Sequence, residues 1–322
     1  MKALLFQEVG KFPTLQTVEK PKPSQPGEVV VKLKAAALNR RDYFITQGLY
    51  PGIRTPMILG SDGAGLHNDR LVVINPALYW GHDLRVQQKS FEVLGMPTYG
   101  TMAEEIVISS DRVHSAPEHL TTEEAAAIPL AGLTAYRALF TRGKLQEGQK
   151  LLITGIGGGV SSIALQFANA VGAKIAVTSG SDQKLDQAKE YGAALGVNYL
   201  DEEWAAKLSA FGEFDLILDS AGGDGFSQLV KLAKPGGTIS LYGGTRGKIS
   251  NLSPQVIFWK QLDIKGSTMG SDKDFADMLS FVDAHKVRPV IDRIYSMEAV
   301  DEAFESMAVS RQFGKIVIRI SE

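Results

Sequence analysis

Residues Ile153–Ser162 read ITGIGGGVSS, between the apolar run Lys150–Ile153 and a helical pattern that begins at Val160. Gly155, Gly157, Gly158 and Gly159 allow a tight turn and add no Cβ where a bulky anion would approach the backbone. The first N–H groups of the helix, from Val160 and Ser161 onward, lack intrahelical partners and sit at the positive end of its dipole. Together these features suit a phosphate or pyrophosphate. A triphosphate-binding loop needs Lys followed by Ser or Thr after its last glycine. Val160 and Ser161 stand there instead, which argues against nucleotide hydrolysis. The strict G-x-G-x-x-G spacing is not met either: counted from Gly155 the third glycine position holds Val160, and counted from Gly157 it holds Ser162. A turn of purely structural use is the competing reading.

The end of the next strand indicates which dinucleotide such a loop would hold. A ribose 2′-hydroxyl is bound by an Asp or Glu at that point. Here the strand ends AVTSGSDQK, so Ser179, Gly180 and Ser181 occupy the place and Lys184 follows in the first helical turn. Hydroxyls and a lysine suit a 2′-phosphate dianion, which a carboxylate would repel, so NADP(H) is the expected cofactor. Asp182 is read as the cap of the following helix. Tyr199 either lines the same pocket or packs in the core.

The elements that must position these residues alternate. Apolar strands are read at KLLITG, KIAVTS, GVNYL, FDLILDSAG, TISLYGG and DIKGST. Helices are read at VSSIALQFANAV, SDQKLDQAKEYG, EEWAAKLSAF and GFSQLVKLA. Strands separated by helices predict a doubly wound parallel sheet. Upstream, TTEEAAAIPLAGLTAYRALF opens with Thr and acidic residues and predicts one capped helix. The first 120 residues read as β-rich and turn-rich, with short runs at Glu28–Leu38, Arg70–Leu78 and Thr101–Ser109 and a proline-rich surface connection at Pro21, Pro23 and Pro26. The tail from Asp272 returns to a helix and a terminal strand. These patterns divide the chain into an irregular barrel (1–120 and 271–322) and a nucleotide-binding domain (121–270).

A length of 322 residues suits two domains. The net charge of −2 gives no footprint for nucleic acid or a membrane surface, and no apolar run reaches the length of a membrane span. The start, MKALLFQEVG, is interrupted too early for a signal peptide, so a cytoplasmic location is expected. The absence of cysteine excludes disulfides, thiolate catalysis and every zinc site that needs sulfur.

The chain resembles the medium-chain dehydrogenase/reductase superfamily, in its zinc-free quinone-oxidoreductase-like branch. The resemblance rests on AAALNRRDYFITQGLYP, GSDGAG, GTMAEEIVI, EEAAAIPLAGLTAYRAL, the glycine segment, FDLILDSAGG, KPGGTISLYGG and FGKIVIRI, in that order. It implies an α/β fold: a GroES-like β-rich catalytic domain plus a doubly wound parallel-sheet Rossmann domain. It also implies a homodimer paired near DIKGST. In the family the loop ends GGVG. Ser161 departs from this, with a hydroxyl that could reach the pyrophosphate. Zinc-dependent members take ligands from the segment matching Asn39–Arg41, from a GHE motif and from a later Cys. Here GHE is matched by Gly60-Ser61-Asp62, no cysteine follows, and the four-cysteine lobe is replaced by NPALYWGHDLRVQQKSFEVLG. No metal is expected, and His67 and His82 are read as surface residues. Between GSDGAG and RLVVINP only LHND remains, so the barrel should be trimmed at that edge.

Without a metal, carbonyl polarisation must come from hydrogen bonds, or the acceptor must itself be electrophilic. The resemblance carries Tyr50 onto the proton-donor position of related enoyl reductases, and Asn39 onto a position that fixes the nicotinamide ribose or substrate oxygen. A neutral phenol suits proton donation; a packed turn residue is the alternative for Tyr50. Asp42 is expected to hold local structure; Arg40 and Arg41 could attract an anionic substrate, but are read as a solvated surface pair. Tyr242, Gly243 and Gly244 are placed near the nicotinamide, with Ser267 and Met269 closing that pocket. The expected activity is NADPH-dependent, zinc-free reduction of a small-molecule quinone or α,β-unsaturated carbonyl. Alternatives are a 2-enal or enoyl-thioester reductase, an NADPH-binding sensor or structural protein, and a zinc alcohol dehydrogenase.

Overall fold

The structure is a computed structural model that describes residues 1–321. Its first stretch of strands is β1 (Lys2–Phe6), β2 (Thr14–Thr17), β3 (Glu28–Ala37), β4 (Met57–Ile58), β5 (Asp62–His67), β6 (Arg70–Ile74), β7 (Ala77–Leu78), β8 (Glu92–Val93), β9 (Glu105–Ser109) and β10 (Val113–Ser115), with α1 (Arg40–Thr46) after β3. Helices α2 (Thr122–Ala127) and α3 (Pro129–Tyr136) lead to the alternating segment: β11 (Lys150–Ile153), α4 (Gly159–Ala170), β12 (Lys174–Ser179), α5 (Asp182–Glu190), β13 (Leu195–Asn198), α6 (Trp204–Phe211), β14 (Phe214–Asp219), α7 (Phe226–Leu232), β15 (Ala233–Leu241), α8 (Pro254–Lys260) and β16 (Asp263–Gly266). The chain closes with α9 (Asp272–Ala284), β17 (Ile291–Ser296), α10 (Val300–Val309) and β18 (Lys315–Arg319).

The chain folds as two compact units, Met1–Leu133 with the residues from Gly270 onward, and Thr134–Met269. In the first, a sheet runs β10-β6-β5-β3-β18-β17, with β9 also on β3, beside a three-stranded β2-β1-β4 sheet. This is the β-rich GroES-like arrangement. Alternating apolar residues of β1, β3, β9 and β18 meet in a core that includes Leu4, Phe6, Val31, Leu33, Ile106, Ile316 and Ile318. The shortened LHND segment is a two-residue hairpin turn: Asn68 and Asp69 take φ of 49° and 58°, and His67 pairs with Arg70. Both φ values are those of the primed turn that matches strand twist.

In the second unit the sheet order is β13-β12-β11-β14-β15-β16 and every pairing is parallel. This is the doubly wound order, and its direction reverses between β11 and β14. Ligands bind at that switch point, beyond the carboxyl ends of the strands. The six strands match the six apolar runs of the sequence.

Two differences from the sequence pattern have clear causes. The expected single helix is broken into α2 and α3, followed by a π-helical segment at Arg137–Arg142. Thr121 does cap it, accepting from Glu124 N at 3.2 Å while Glu124 Oε2 accepts from Thr121 N at 2.8 Å. Pro129 then interrupts the ladder because it has no N–H. The pattern also assigned α2 to the nucleotide-binding domain, whereas it lies in the first unit. Its Ala125, Ala126 and Ala127 are fully buried, small enough for close packing on β3 and β5.

Candidate active site

In the second unit, β11 runs into a loop whose Gly155 and Gly157 have φ of +67° and +118°, a region that favours glycine, the second value being one that side chains rarely adopt. Helix α4 follows, with Gly158 as its N-cap. A Cβ on Gly157 would stand 2.7 Å from Lys184 Cδ and 3.2 Å from its Nζ. The Lys184 chain thus lies along the loop and sets its ammonium beside it. Ser181 fixes the root of that lysine, because its Oγ accepts from Lys184 N as the N-cap of α5. Asp182, expected to be the cap, instead accepts from Asn198 Nδ2 at 2.9 Å.

Ser161 is 2% exposed, and its Oγ lies 3.1 Å from the carbonyl oxygens of both Gly155 and Gly158. The sequence allowed this hydroxyl to face a pyrophosphate; the structure turns it inward, where it braces the curve of the loop. Ser179 is likewise buried, and its Oγ accepts from Ser181 N at 3.2 Å. It shapes the turn from below. Tyr199 covers Gly180: a Cβ there would come within 2.8 Å of the phenol oxygen. Ser179, Ser181, Lys184 and Tyr199 are therefore gathered at the end of β12, next to Gly157. Val160 follows the N-cap in the first turn of α4.

Asp219, absent from the sequence reading, ties this region together. It is 1% exposed and takes Thr154 Oγ1 at 2.5 Å and Gly222 N at 2.8 Å, holding the end of β14 to the end of β11. The signal was available as the acid that ends FDLILD. Beyond β15, Tyr242 N donates to Asp219 O at 3.0 Å. Burial pushes the Tyr242 phenol well above its usual range, opposed by a hydrogen bond with Ser220. Gly243 lies so close to Ser220 that a Cβ would meet its carbonyl oxygen at 2.7 Å, while Gly244 faces open space. Ser267 follows β16, with N–H bonded to Leu241 O at 2.9 Å and a buried hydroxyl that has no hydrogen-bond partner among the described residues. Met269 takes φ +42° with Sδ 4.0 Å from Thr134 Oγ1.

The first unit carries the other candidate residues. Asn39 begins α1, and its N–H donates to Asp42 Oδ2 at 2.8 Å. Its side chain points into the protein: Nδ2 donates to Asp62 Oδ2 at 2.9 Å, and Oδ1 accepts from Lys315 Nζ at 2.8 Å. Lys315 also donates to Asp62 Oδ2 at 2.7 Å. Asp62 Oδ1 accepts from Leu130 N at 2.7 Å, an N–H placed just past the break at Pro129. Asp62, Lys315 and Asn39 are 0%, 2% and 7% exposed, so this is a dry ion pair with an amide between its members. The expectation that Asn39 holds substrate or ribose is corrected accordingly: both ends of its amide are held by buried charges, and it fixes the start of α1. Lys315 was hidden in the sequence as the first residue of an apolar terminal strand.

Asp42 is fully buried, and burial raises its carboxyl to about 6, against the opposing pull of Arg41 and of the Asn39 N–H. Its Oδ1 has no hydrogen-bond partner among the described residues. The two arginines are not a solvated pair. Arg40 donates to Met307 O and Ser310 Oγ at 2.6 Å each. Arg41, with a side chain only 10% exposed, donates to Ser61 Oγ at 2.6 Å and Leu94 O at 2.8 Å. Its guanidinium sits 5.1 Å over the ring of half-buried Tyr50, which packs on the core. The Tyr50 hydroxyl has no hydrogen-bond partner among the described residues.

The residues at the family's zinc positions do not fit that metal. Asn39 and Arg41 offer an amide and a cation, Ser61 offers a hydroxyl bound to Leu94 O at 2.7 Å, and Asp62 is already neutralised by Lys315. A zinc site takes sulfur, imidazole and carboxylate donors. Among the described residues no three His, Cys, Asp or Glu side chains cluster. His67 faces Val30 O at 3.0 Å.

Comparison with known proteins agrees with this architecture. Residues 25–118 match the alcohol dehydrogenase GroES-like domain, and residues 159–284 match the zinc-binding dehydrogenase domain. The zinc-type alcohol dehydrogenase-like protein YogA of Leptosphaeria maculans is 36% identical over 95% of this chain and 94% of its own. Quinone oxidoreductase-like protein 2 of Bos taurus is 26% identical over 93% of this chain and 87% of its own. The solved structure of an NAD-dependent alcohol dehydrogenase superposes with a TM-score of 0.93 at 32% identity, covering all of both chains. With both domain models matched in order, and identity of this level along nearly the full length, the chain belongs to the medium-chain dehydrogenase/reductase superfamily of oxidoreductases.

Proposed function

We propose that this oxidoreductase uses NADPH and, without a metal, reduces quinones or α,β-unsaturated carbonyls. The observation that carries the reading is the replacement of the zinc ligand set by Asn39, Ser61 and an Asp62 neutralised by Lys315. Polarising an unactivated carbonyl or alcohol needs a strong electrophile. A quinone or enone needs less, because its conjugated system accepts hydride and delocalises the charge to oxygen.

NADPH use is supported by the end of β12, where no carboxylate stands and the Lys184 ammonium lies beside Gly157. When bound, the nicotinamide supplies a hydride to the β-carbon of the acceptor. The carbon–carbon π electrons move toward the carbonyl oxygen, which becomes enolate-like and must receive a proton. The loop Gly155–Gly159 and α4 bind the pyrophosphate through backbone N–H groups, braced by Ser161. Asp219 holds the adjoining turn in register. Gly244, which faces open space, would leave room for the nicotinamide, while Gly243 lets its turn close on Ser220; Tyr242, Ser267 and Met269 would line the same strand ends. Tyr50 donates the proton. Its hydroxyl makes no hydrogen bond among the described residues, and the Arg41 guanidinium lies over its ring. Asn39 and Asp42 act by fixing α1, from which the chain continues to Tyr50.

The test is oxidation of NADPH, beside NADH, by chelator-treated protein with an ortho-quinone and a 2-alkenal as acceptors. NADPH-selective turnover that survives chelation is expected. Turnover that disappears with chelation and returns with zinc would refute the metal-free reading. No turnover with either acceptor would refute the substrate class.

A further inference from the structure

Lys184 supplies one cation to the nucleotide pocket, and it lies along the pyrophosphate loop. A 2′-phosphate dianion at the end of β12 calls for a second. Four observations locate it. Tyr199 covers Gly180, so its ring forms one wall of the place where the ribose 2′ substituent must lie. The guanidinium of Arg246 sits 5.1 Å over that ring. Arg246 is exposed and pairs with no carboxylate among the described residues. The nearest acid in sequence to the pocket, Asp182, is held by Asn198.

We propose that Arg246 is a specificity-determining residue for the cofactor: stacked on Tyr199, it binds the 2′-phosphate of NADPH together with Lys184. The inference rests on the NADPH reading above and adds to it a residue from a different strand. A guanidinium held over a ring by cation–π attraction gives up no hydrogen-bond acceptor in doing so, and its fork of N–H groups matches two phosphate oxygens at once. The backbone that carries it is a defined turn. Arg246 N donates to Ala221 O at 2.9 Å, and Gly247 N donates to Gly244 O at 3.0 Å with Gly247 at φ +83°. The arginine is thus delivered from beyond β15 to the tyrosine beyond β13. No acid-or-no-acid rule applied to β12 alone would find it.

The test compares wild type, Arg246→Gln and Arg246→Lys by calorimetric titration with NADPH, NADH, 2′,5′-ADP and 5′-AMP. Arg246→Gln is expected to weaken NADPH and 2′,5′-ADP roughly ten- to hundredfold, the range of one charge-assisted contact. NADH and 5′-AMP should change by less than about threefold, since neither carries the 2′-phosphate. Arg246→Lys should recover part of the loss. The dependence of 2′,5′-ADP affinity on salt should also become shallower in Arg246→Gln. Equal losses for phosphorylated and unphosphorylated ligands would overturn the proposal and leave Arg246 as a packing partner of Tyr199. A wild type that binds NADH as well as NADPH would overturn the NADPH reading, and this inference with it, whatever the variant does.

Discussion

Removing the Lys315 ammonium is the sharpest probe of the buried polar cluster in the first unit. Lys315 and Asp62 are 2% and 0% exposed and lie 2.7 Å apart. In Lys315→Met the volume is kept, but Asp62 loses its counter-charge and Asn39 Oδ1 loses its donor. Asp62 then keeps only the Asn39 amide and the Leu130 N–H. Breaking a buried pair by removing one partner costs about 3–5 kcal/mol, because the remaining charge stays in a dry site. Asp62→Asn should cost a similar amount by stranding the lysine. The double variant Lys315→Met/Asp62→Leu should cost clearly less than the sum, giving a coupling of several kcal/mol, on the order of the single losses. Urea unfolding should be followed through Trp80, which lies in the first unit, 2% exposed, against the edge of Phe91. Replacing Trp204 and Trp259 with Phe isolates that signal, since the chain has only these 3 tryptophans. A loss below about 1 kcal/mol for Lys315→Met, or strict additivity in the double variant, would mean the pair is solvated. Asn39 would then not be fixed by buried charges and could not act as a positioning residue.

Tyr50→Phe removes only the hydroxyl and should lower kcat roughly a hundredfold or more with little change in KM, as expected for loss of a general acid; unaltered kcat in steady-state turnover would move proton donation elsewhere. Lys184→Ala should weaken NADPH roughly tenfold or more by titration while NADH changes far less, and equal losses would remove its ammonium from the 2′-phosphate. Asp42 has a folded-state carboxyl raised to about 6, so its ionisation is unfavourable in the folded chain. The stability that the neutral form provides is complete below the unfolded value near ~4 and is lost as pH rises to about 6. Asp42→Asn abolishes that loss, so its stability relative to wild type should rise by about 3 kcal/mol across this window; parallel stability curves from pH 4 to 7 would refute the buried charge.

The second unit was legible because each of its signals is local. Six apolar runs predicted six strands, and the glycine cluster predicted the turn between β11 and α4, since a phosphate loop is written in adjacent residues. The polar residues of the first unit were less legible because their contacts are long-range. Arg40 and Arg41 look like a solvated pair in sequence, yet their partners are Met307, Ser310, Ser61 and Leu94. Asn39 looks like a free amide until Lys315, from the other end of the chain, arrives on β18 beside it. The break at Pro129 was visible as a proline, but its consequence was not: it sets the Leu130 N–H where Asp62 can accept it. These cases share one cause. A polar side chain declares its type in the sequence, whereas its availability depends on which distant donors and acceptors the fold brings within 3 Å. For the same reason, charges that the fold leaves without partners are the more informative ones. Arg40 and Arg41 are anchored on carbonyl and hydroxyl oxygens, whereas the Arg246 guanidinium lies over the ring of Tyr199 and has no ion-pair partner among the described residues. A guanidinium over an aromatic ring, beside a strand end that carries no acid, has the donor chemistry an oxyanion would use, which is what the Arg246 variants test.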